Sequence, residues 1–521
     1  MSEIAQQAAR WLERAQSGHA EAALDFAESM LAEATGDIAD GPACMHFVRA
    51  VALAGLGEPE LSLAALDVAA RAAERDGSPG WRSCALATKA AHLMRIGDTG
   101  RDFDEILHDL VTAEILVAHE TEPIAAVNAR VGVAIGYFEL RLYELVGPHY
   151  DAAYAMSPPG SGNRAMWLFN QAELHLFWAL ELYQVGQVAA AEEHTAEAER
   201  YALRAADEAD GPDAGAWRDH AMLAAACAKA DRTDPWGPAA EIERLLVVLE
   251  GRGMPAAALA FSRPFHAVAL RRSGRSEAAL EVMRRAIADL PADAGWLIVS
   301  ATQRTYAVLL AAHGSADAAV GLAYGDTLAG ALWRQRLRTL QTVEAMKSLE
   351  LLRLQHEQAA RAAAMDALTG IANRGAFDRA VRQAQARPAE LVTVLLIDTD
   401  KFKQINDTRG HAAGDDALRA IAAALGAQLR EGDLLARLGG DEFAALLPGV
   451  PIATARTIAA RMVEAVRGIP DCPATVSIGV AAAYAADLPD ALRRADEAMY
   501  RIKRRGGDGV EDCPGESAWA A

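Results

Sequence analysis

Arg437-Leu438-Gly439-Gly440-Asp441-Glu442-Phe443 is the stretch on which the fold of the last third of the chain turns. Adjacent glycines let a backbone reverse tightly and approach a ligand closely. The two carboxylates behind them are hard oxygen donors of the kind that bind Mg²⁺. Apolar runs flank the turn, Leu434-Leu435-Ala436 on one side and Phe443-Ala444-Ala445-Leu446-Leu447 on the other. This pattern predicts two strands joined as a β-hairpin with Asp441 and Glu442 at its tip. Taken alone, the string also fits an ordinary surface turn, so its surroundings decide.

Upstream, Leu391-Val392-Thr393-Val394-Leu395-Leu396-Ile397 has the composition of a buried strand and runs into Asp398-Thr399-Asp400. A carboxylate at the end of a buried strand is costly without a cation, which makes a metal the natural partner. Lys401–Asp407 predicts a short helical turn, and Gly410–Asp415 leads into a helix over 416–428. A helix over 453–466, a strand over 474–480 and a last helix over 489–504 follow the hairpin. A helix through Phe377 precedes it all. The expected fold is an α+β, palm-like (ferredoxin-like) domain with an antiparallel centre and its acidic groups at one sheet edge. Asp398 with Asp441 and Glu442 suits one or two divalent ions and therefore phosphoryl or nucleotidyl transfer. The residues alone do not name the nucleotide.

Three motifs in order give a closer likeness. Asp366-x-Leu368-Thr369-Gly370-x-x-Asn373-Arg374 comes first. Asp398-x-Asp400-x-Phe402-Lys403-x-x-Asn406-Asp407-x-x-Gly410-His411-x-x-Gly414-Asp415 is second, and Gly439-Gly440-Asp441-Glu442-Phe443 third. Residues 360–510 thereby resemble the GGDEF-domain diguanylate cyclases. That family condenses two GTP into cyclic di-GMP and two pyrophosphates, with one GTP on each protomer of a homodimer. The resemblance implies that Asp398 and Asp441 ligate Mg²⁺ (or Mn²⁺), with the Thr399 carbonyl as a further ligand. Glu442 would assist the metal or the deprotonation of the attacking hydroxyl. Asn406 and Asp415 would read guanine, while Phe402, Lys403 and Lys503, with the Gly439-Gly440 turn, would hold the nucleotide and its phosphates. Arg430, Asp433 and Arg461 match the family's inhibitory product site, where cyclic di-GMP binds; a plain surface ion pair is the alternative. One departure stands out. Where the family ends its last helix with a phosphate-contacting arginine, this chain has Gly507, with Arg504 and Arg505 as neighbours able to substitute.

The first two thirds read differently. Residues 1–330 are rich in helix formers, with breaks at Gly18, Gly57, Gly97, Gly147, Gly186, Gly274 and Gly314. Within that series, successive glycines at 18, 57 and 97, at 147 and 186, and at 274 and 314 lie 39 or 40 residues apart. Such a period suits stacked helix–turn–helix units and loosely resembles a tetratricopeptide (TPR-like) solenoid. An alanine- and leucine-rich helical domain without repeats would also show periodic glycines. A solenoid would offer a surface to a protein, a peptide or a small ligand. Trp11, His46, His175 and Trp178 are expected to be satisfied core or groove residues. Between Ala331 and Met365 glycine and proline vanish, and Leu337, Leu340, Met346, Leu349 and Leu352 recur without a clean heptad. This predicts a connecting helix, either paired with a second protomer or packed on its own domain. The expected division is 1–330 repeats, 331–365 connecting helix, 366–510 catalytic domain and 511–521 tail.

Bulk properties bound the function. The net charge is −20. Residues 366–521 hold 19 basic against 22 acidic residues, a net of −3, which leaves −17 on the first 365. That excludes a general nucleic-acid binder and makes the last third the part better suited to a polyanionic substrate. Five scattered cysteines, no leader pattern and no membrane-length apolar run predict a cytoplasmic protein. The expected function is a dimeric, Mg²⁺-dependent diguanylate cyclase regulated by its helical repeats. The alternative is a non-catalytic GTP or cyclic di-GMP receptor whose repeats are the output.

Overall fold

The computed structural model describes residues 3–16, 18–35, 41–96, 103–158, 163–210, 214–232, 234, 236–290 and 295–513. They form two compact units, Met1–Leu351 and Leu352–Ala521. No helix among the described residues is long and apolar enough to cross a membrane.

Among its described residues the first unit is helical throughout, and most helices pack on their neighbours in sequence. Alanine makes this close stacking feasible. Ala65, Ala69, Ala85, Ala202, Ala224 and Ala228 are buried between helices, where a small side chain lets backbones approach. Gly18, Gly57, Gly186, Gly274 and Gly314 sit in turns between helices with φ of +76° to +90°, a conformation that costs glycine nothing. Two glycines of the predicted series behave otherwise. Gly97 lies outside the described residues. Gly147 is not in a turn but inside helix Tyr143–Met156, where its carbonyl accepts from Gln171 Nε2 at 2.9 Å. The turn before that helix is made by Arg141, at φ +62°. A non-glycine residue holds that conformation only against a cost of about 1–3 kcal/mol, so surrounding contacts must fix it. Here Arg141 pairs with buried Glu181 and lies over the Trp296 ring.

Of the four residues expected to be satisfied in core or groove, Trp11, His175 and Trp178 are half-buried against ring partners and His46 differs. Trp11 stacks on Phe26, and His175 shares a 2.8 Å hydrogen bond with His194 beside Trp178. His46 is buried with both ring nitrogens unpartnered among the described residues; burial pushes its pKa down to about 4 and keeps it neutral.

The connecting helix begins earlier than the sequence suggested, spanning Ala316–Ala362. Gly321, Gly325 and Gly330 lie within it. Each costs about 1 kcal/mol relative to alanine, too little to stop a helix rich in alanine and leucine. Along residues 336–347 the helix packs on its own unit. Arg336 is buried; its Nε donates to the Arg141 carbonyl at 2.6 Å, it pairs with Glu144, and it lies over Trp333. Val343 is buried, and Lys347 Nζ meets Glu114 at 2.7 Å. Beyond it Leu349, Leu351 and Leu352 are exposed.

The second unit is a six-stranded sheet in the order β1-β3-β4-β2-β5-β6. Its strands are β1 (Ala372–Asn373), β2 (Leu391–Asp400), β3 (Leu434–Gly439), β4 (Glu442–Pro448), β5 (Thr475–Tyr484) and β6 (Gly509–Asp512). The central strands are antiparallel, while β1 and β6 add at the two edges in parallel. Period-2 alternation fixes the register. Leu395, Ile397, Phe443, Ala445 and Leu447 enter one core layer, and Val392, Val394, Ala444 and Leu446 the other. With both edges filled, Asp398 and Glu442 lie at the end of the central β2–β4 pair instead of at a sheet edge. Helices Phe402–Arg409 and His411–Gly426 follow β2, so the second starts five residues earlier than predicted. Gly410, at φ +83°, separates them and places Asp415 within the helix.

Candidate active site

The hairpin tip is built from glycine geometry and one arginine. Gly439 and Gly440 adopt φ of +149° and +56°, and a β-bulge separates Arg437 from Gly439. Arg437 folds back over the turn: its Nε and Nη2 donate to the Gly440 carbonyl at 3.0 and 2.7 Å, and Nη1 reaches Asp366 Oδ1 at 3.1 Å. Asp366 also accepts from the Thr369 backbone and hydroxyl at 2.9 and 2.7 Å. Partial burial works against its charge, but the Thr369 and Arg437 hydrogen bonds outweigh it and hold the carboxyl below its usual range. The Thr399 N–H and hydroxyl donate to the Asp441 carbonyl at 3.1 and 3.2 Å, pinning the tip to the end of β2.

Three carboxylates result at one end of the sheet. Asp398 and Glu442 are directly opposed in the β2–β4 register, an arrangement that destabilises two like charges unless a cation intervenes. Asp398 is only 8% exposed. Burial pushes its pKa up; Lys503 offsets part of that, and the Asp441 and Glu442 charges add to it. Lys503, expected to hold phosphate, pairs with Asp398 in this structure.

Asp400 is committed elsewhere. Its oxygens accept from the Thr475 hydroxyl at 2.8 Å, the Ser477 hydroxyl at 2.7 Å and the Asp508 N–H at 2.7 Å. This explains Gly507. At φ +84°, a Cβ there would lie 2.6 Å from the Asp400 carboxyl carbon. The position therefore has no room for the arginine that the family resemblance leads one to expect. Of the neighbours, Arg505 pairs with Glu511 at 3.1 Å and Arg504 is exposed.

On the adjacent helices, Gly414 is the counterpart of Asn406. A Cβ on Gly414 would fall 2.0 Å from Asn406 Oδ1 and 3.2 Å from the Phe402 ring. Absence of a side chain therefore seats the carboxamide beside the helix that carries Asp415. Asp415 and Lys403 are exposed, and Phe402 is half-buried. On the turn before β3, the Asp433 carboxylate caps the Arg430 N–H at 3.2 Å and meets its Nε at 3.3 Å, while Arg430 Nη2 reaches the Pro448 carbonyl at 2.8 Å. Arg461 Nη2 donates to the Gln428 carbonyl at 3.0 Å, which brings it to the same turn.

Arg437, Asp400 and Gly414 had no assigned roles from sequence. Arg437 could have been found as a cation three residues before a turn carbonyl; the other two need the fold. No group of three or more His, Cys, Asp or Glu among the described residues is assembled to hold a metal ion. The donor chemistry nevertheless suits one. Opposed acidic oxygens and a buried Asp398 Oδ1 whose neighbour is the Lys503 ammonium ask for positive charge.

Residues 363–509 match the family described as "Diguanylate cyclase, GGDEF domain". Among curated proteins, the chain is 43% identical over 190 residues to Diguanylate cyclase DgcM of Escherichia coli (strain K12), covering 35% of this chain and 43% of that protein. It is 38% identical over 187 residues to Response regulator PleD of Caulobacter vibrioides (strain NA1000 / CB15N), covering 33% and 41%. The chain thus spans less than half the length of these curated relatives. A solved structure of the coiled coil and GGDEF domain of DgcB from Caulobacter crescentus, in complex with c-di-GMP, is 30% identical. It covers 33% of this chain and 97% of that one, with a TM-score of 0.31. The last third of the chain therefore carries a GGDEF domain, and residues 1–362 lie outside the family match.

Proposed function

We propose that the chain is a diguanylate cyclase that joins two GTP into cyclic di-GMP with release of two pyrophosphates. In each of two equivalent steps, a ribose 3′-oxygen bonds to the α-phosphorus of the other GTP, the bond to pyrophosphate breaks, and the hydroxyl proton leaves to a base. One observation carries the reading: the Gly-Gly-Asp-Glu tip is tied to the end of the Asp398 strand, so Asp398, Asp441 and Glu442 share one end of the sheet. The relative DgcM, named a diguanylate cyclase, supports the same activity.

In this reading Asp398, Asp441, Glu442 and the Thr399 carbonyl hold Mg²⁺ or Mn²⁺, which supplies charge stabilisation to the triphosphate when bound. Asn406 and Asp415 bind the guanine edge. Lys403 and Lys503 neutralise phosphate, Lys503 leaving Asp398 to do so. Glu442, the most exposed of the three acids, takes the hydroxyl proton. Each chain provides half of a site, so the active species is a homodimer; exposed Leu349 and Leu352, three residues apart on the connecting helix, offer an apolar stripe for pairing. Arg430, Asp433 and Arg461 form the inhibitory site for cyclic di-GMP. The helical unit regulates the dimer, and its consecutive helix pairs with left-handed glycine turns support a TPR-like reading.

Incubation with GTP and Mg²⁺ should yield cyclic di-GMP, Glu442→Gln should yield none, and Arg430→Ala should stay active at product levels that arrest the parent. Absence of product from the parent protein, with GTP binding retained, would favour the receptor reading instead.

A further inference from the structure

In the first unit a cavity of about 470 Å³ opens among helices Asn163–Gln184, Ser262–Arg272 and Trp296–Ala312. That volume lies within the range of small-molecule sites. Leu180, Phe265, Val268 and Leu309 give it an apolar wall. Its polar groups are unevenly matched. Arg271, Arg272 and Arg304 line it, against Asp231 and Glu192. Tyr183 donates to Asp231 Oδ2, while Oδ1 has no hydrogen-bond partner among the described residues; burial pushes the Asp231 pKa up, and Arg232 and Arg272 nearby offset part of that. Arg272 Nη1 donates to the Ala230 carbonyl at 3.3 Å. Arg271 has no side-chain partner among the described residues. An apolar cavity with an uncommitted guanidinium on its wall is complementary to an organic anion with an apolar body.

Arg304 links this cavity to the connecting helix. It lines the cavity, and its Nε donates to Asp326 of helix Ala316–Ala362 at 2.9 Å. It also lines the neighbouring groove at the root of that helix, with Tyr324 and Leu328. An anion bound near Arg304 would meet the Asp326 carboxylate as a like charge.

We infer that this cavity is a binding site for a small carboxylate with an apolar or aromatic body, held by Arg271 and Arg304 in opposition to Asp326. Occupancy weakens the Arg304–Asp326 pair and loosens the first turns of the connecting helix. Coupling is reciprocal, so whatever removes the Asp326 charge tightens the ligand. The site stands independently of what the second unit catalyses, because it is read by binding and not by turnover.

The test is calorimetric titration of the full chain with 4-phenylbutyrate, its neutral amide, and 4-phenylbutylamine. The acid should bind at a ratio of one per chain, with the amide and amine at least about tenfold weaker. Arg271→Gln and Arg304→Gln should each weaken the acid by about tenfold, and Asp326→Asn should tighten it several-fold. Hydrogen exchange over residues 316–330 should rise when the acid is bound. No saturable binding of the acid, equal binding of acid and amide, or unchanged affinity in Asp326→Asn would each overturn the inference. Arg271 is exposed, so its replacement leaves the fold intact and a loss of binding there cannot be blamed on unfolding.

Discussion

Gly414→Ala isolates the contact that seats the Asn406 amide, the group proposed to bind guanine. The new methyl would fall 2.0 Å from Asn406 Oδ1, with Phe402 at 3.2 Å, so the carboxamide has to leave its position. Two opposing terms act on stability. Alanine gains about 1 kcal/mol over glycine inside helix His411–Gly426, and overpacking costs about 1–3 kcal/mol. The net loss is therefore about 0–2 kcal/mol, and the protein remains folded. Substrate recognition has no compensating gain. Losing an amide partner to a desolvated base edge costs about 1–3 kcal/mol, roughly 5- to 150-fold in kcat/KM for GTP. Initial rates of cyclic di-GMP formation across a GTP series, with circular-dichroism melts alongside, separate the two effects. The decisive arm is a double-mutant cycle: in an Asn406→Ala background, Gly414→Ala should cost little more. A parental kcat/KM in Gly414→Ala, or an undiminished penalty in the Asn406→Ala background, refutes the reasoning.

Three further outcomes follow from the same geometry. Gly507→Arg should lower the melting temperature and bring no gain in GTP affinity, because φ is +84° and the new Cβ meets Asp400 at 2.6 Å; a stable variant with a lower KM would contradict this. Arg437→Gln should release the hairpin tip from Asp366 and reduce turnover at saturating GTP by about 10- to 100-fold, the scale of a small misplacement of catalytic groups. Full turnover would show that the turn holds its shape unaided. Asp398→Asn should stabilise the metal-free protein at neutral pH. Burial raises the folded-state pKa of Asp398, so its effect on stability is unfavourable above that pKa and absent below its unfolded value. The stabilisation by asparagine should accordingly shrink as pH falls through the raised pKa; a gain that persists unchanged in acid would refute it.

The parts legible in the sequence were those that short-range patterns determine. Alternating apolar residues around Gly439-Gly440 predicted β3 and β4, and the run 391–397 predicted β2, because one buried face sets a period of two. Strands β1 and β6 are not legible in the sequence, since two to four residues of mixed polarity carry no period. In the first unit, glycine was a good guide where it was needed for positive φ, as at Gly57 and Gly274. Gly147 is no such guide, because tertiary contacts hold Arg141 in the positive-φ turn and leave Gly147 inside the helix. The start of the connecting helix was illegible for a related reason: an isolated glycine penalises a helix without ending it. At the site, the acids were visible as residue types, but the difference between Asp398 and Asp400 was not. Only the fold shows that Asp400 spends its oxygens on Thr475, Ser477 and the Asp508 backbone. Gly414 and Gly507 likewise take their meaning from side chains distant in sequence or across a helix junction.

Condensation of two GTP fixes the stoichiometry of its products. Cyclic di-GMP and pyrophosphate should be quantified together after incubation of the full chain with GTP and Mg²⁺, with ATP in a parallel reaction. GTP should yield two pyrophosphates per cyclic di-GMP, and neither product should form from ATP or with Glu442→Gln. Pyrophosphate without cyclic di-GMP, or no turnover by a folded protein that binds GTP, would contradict it.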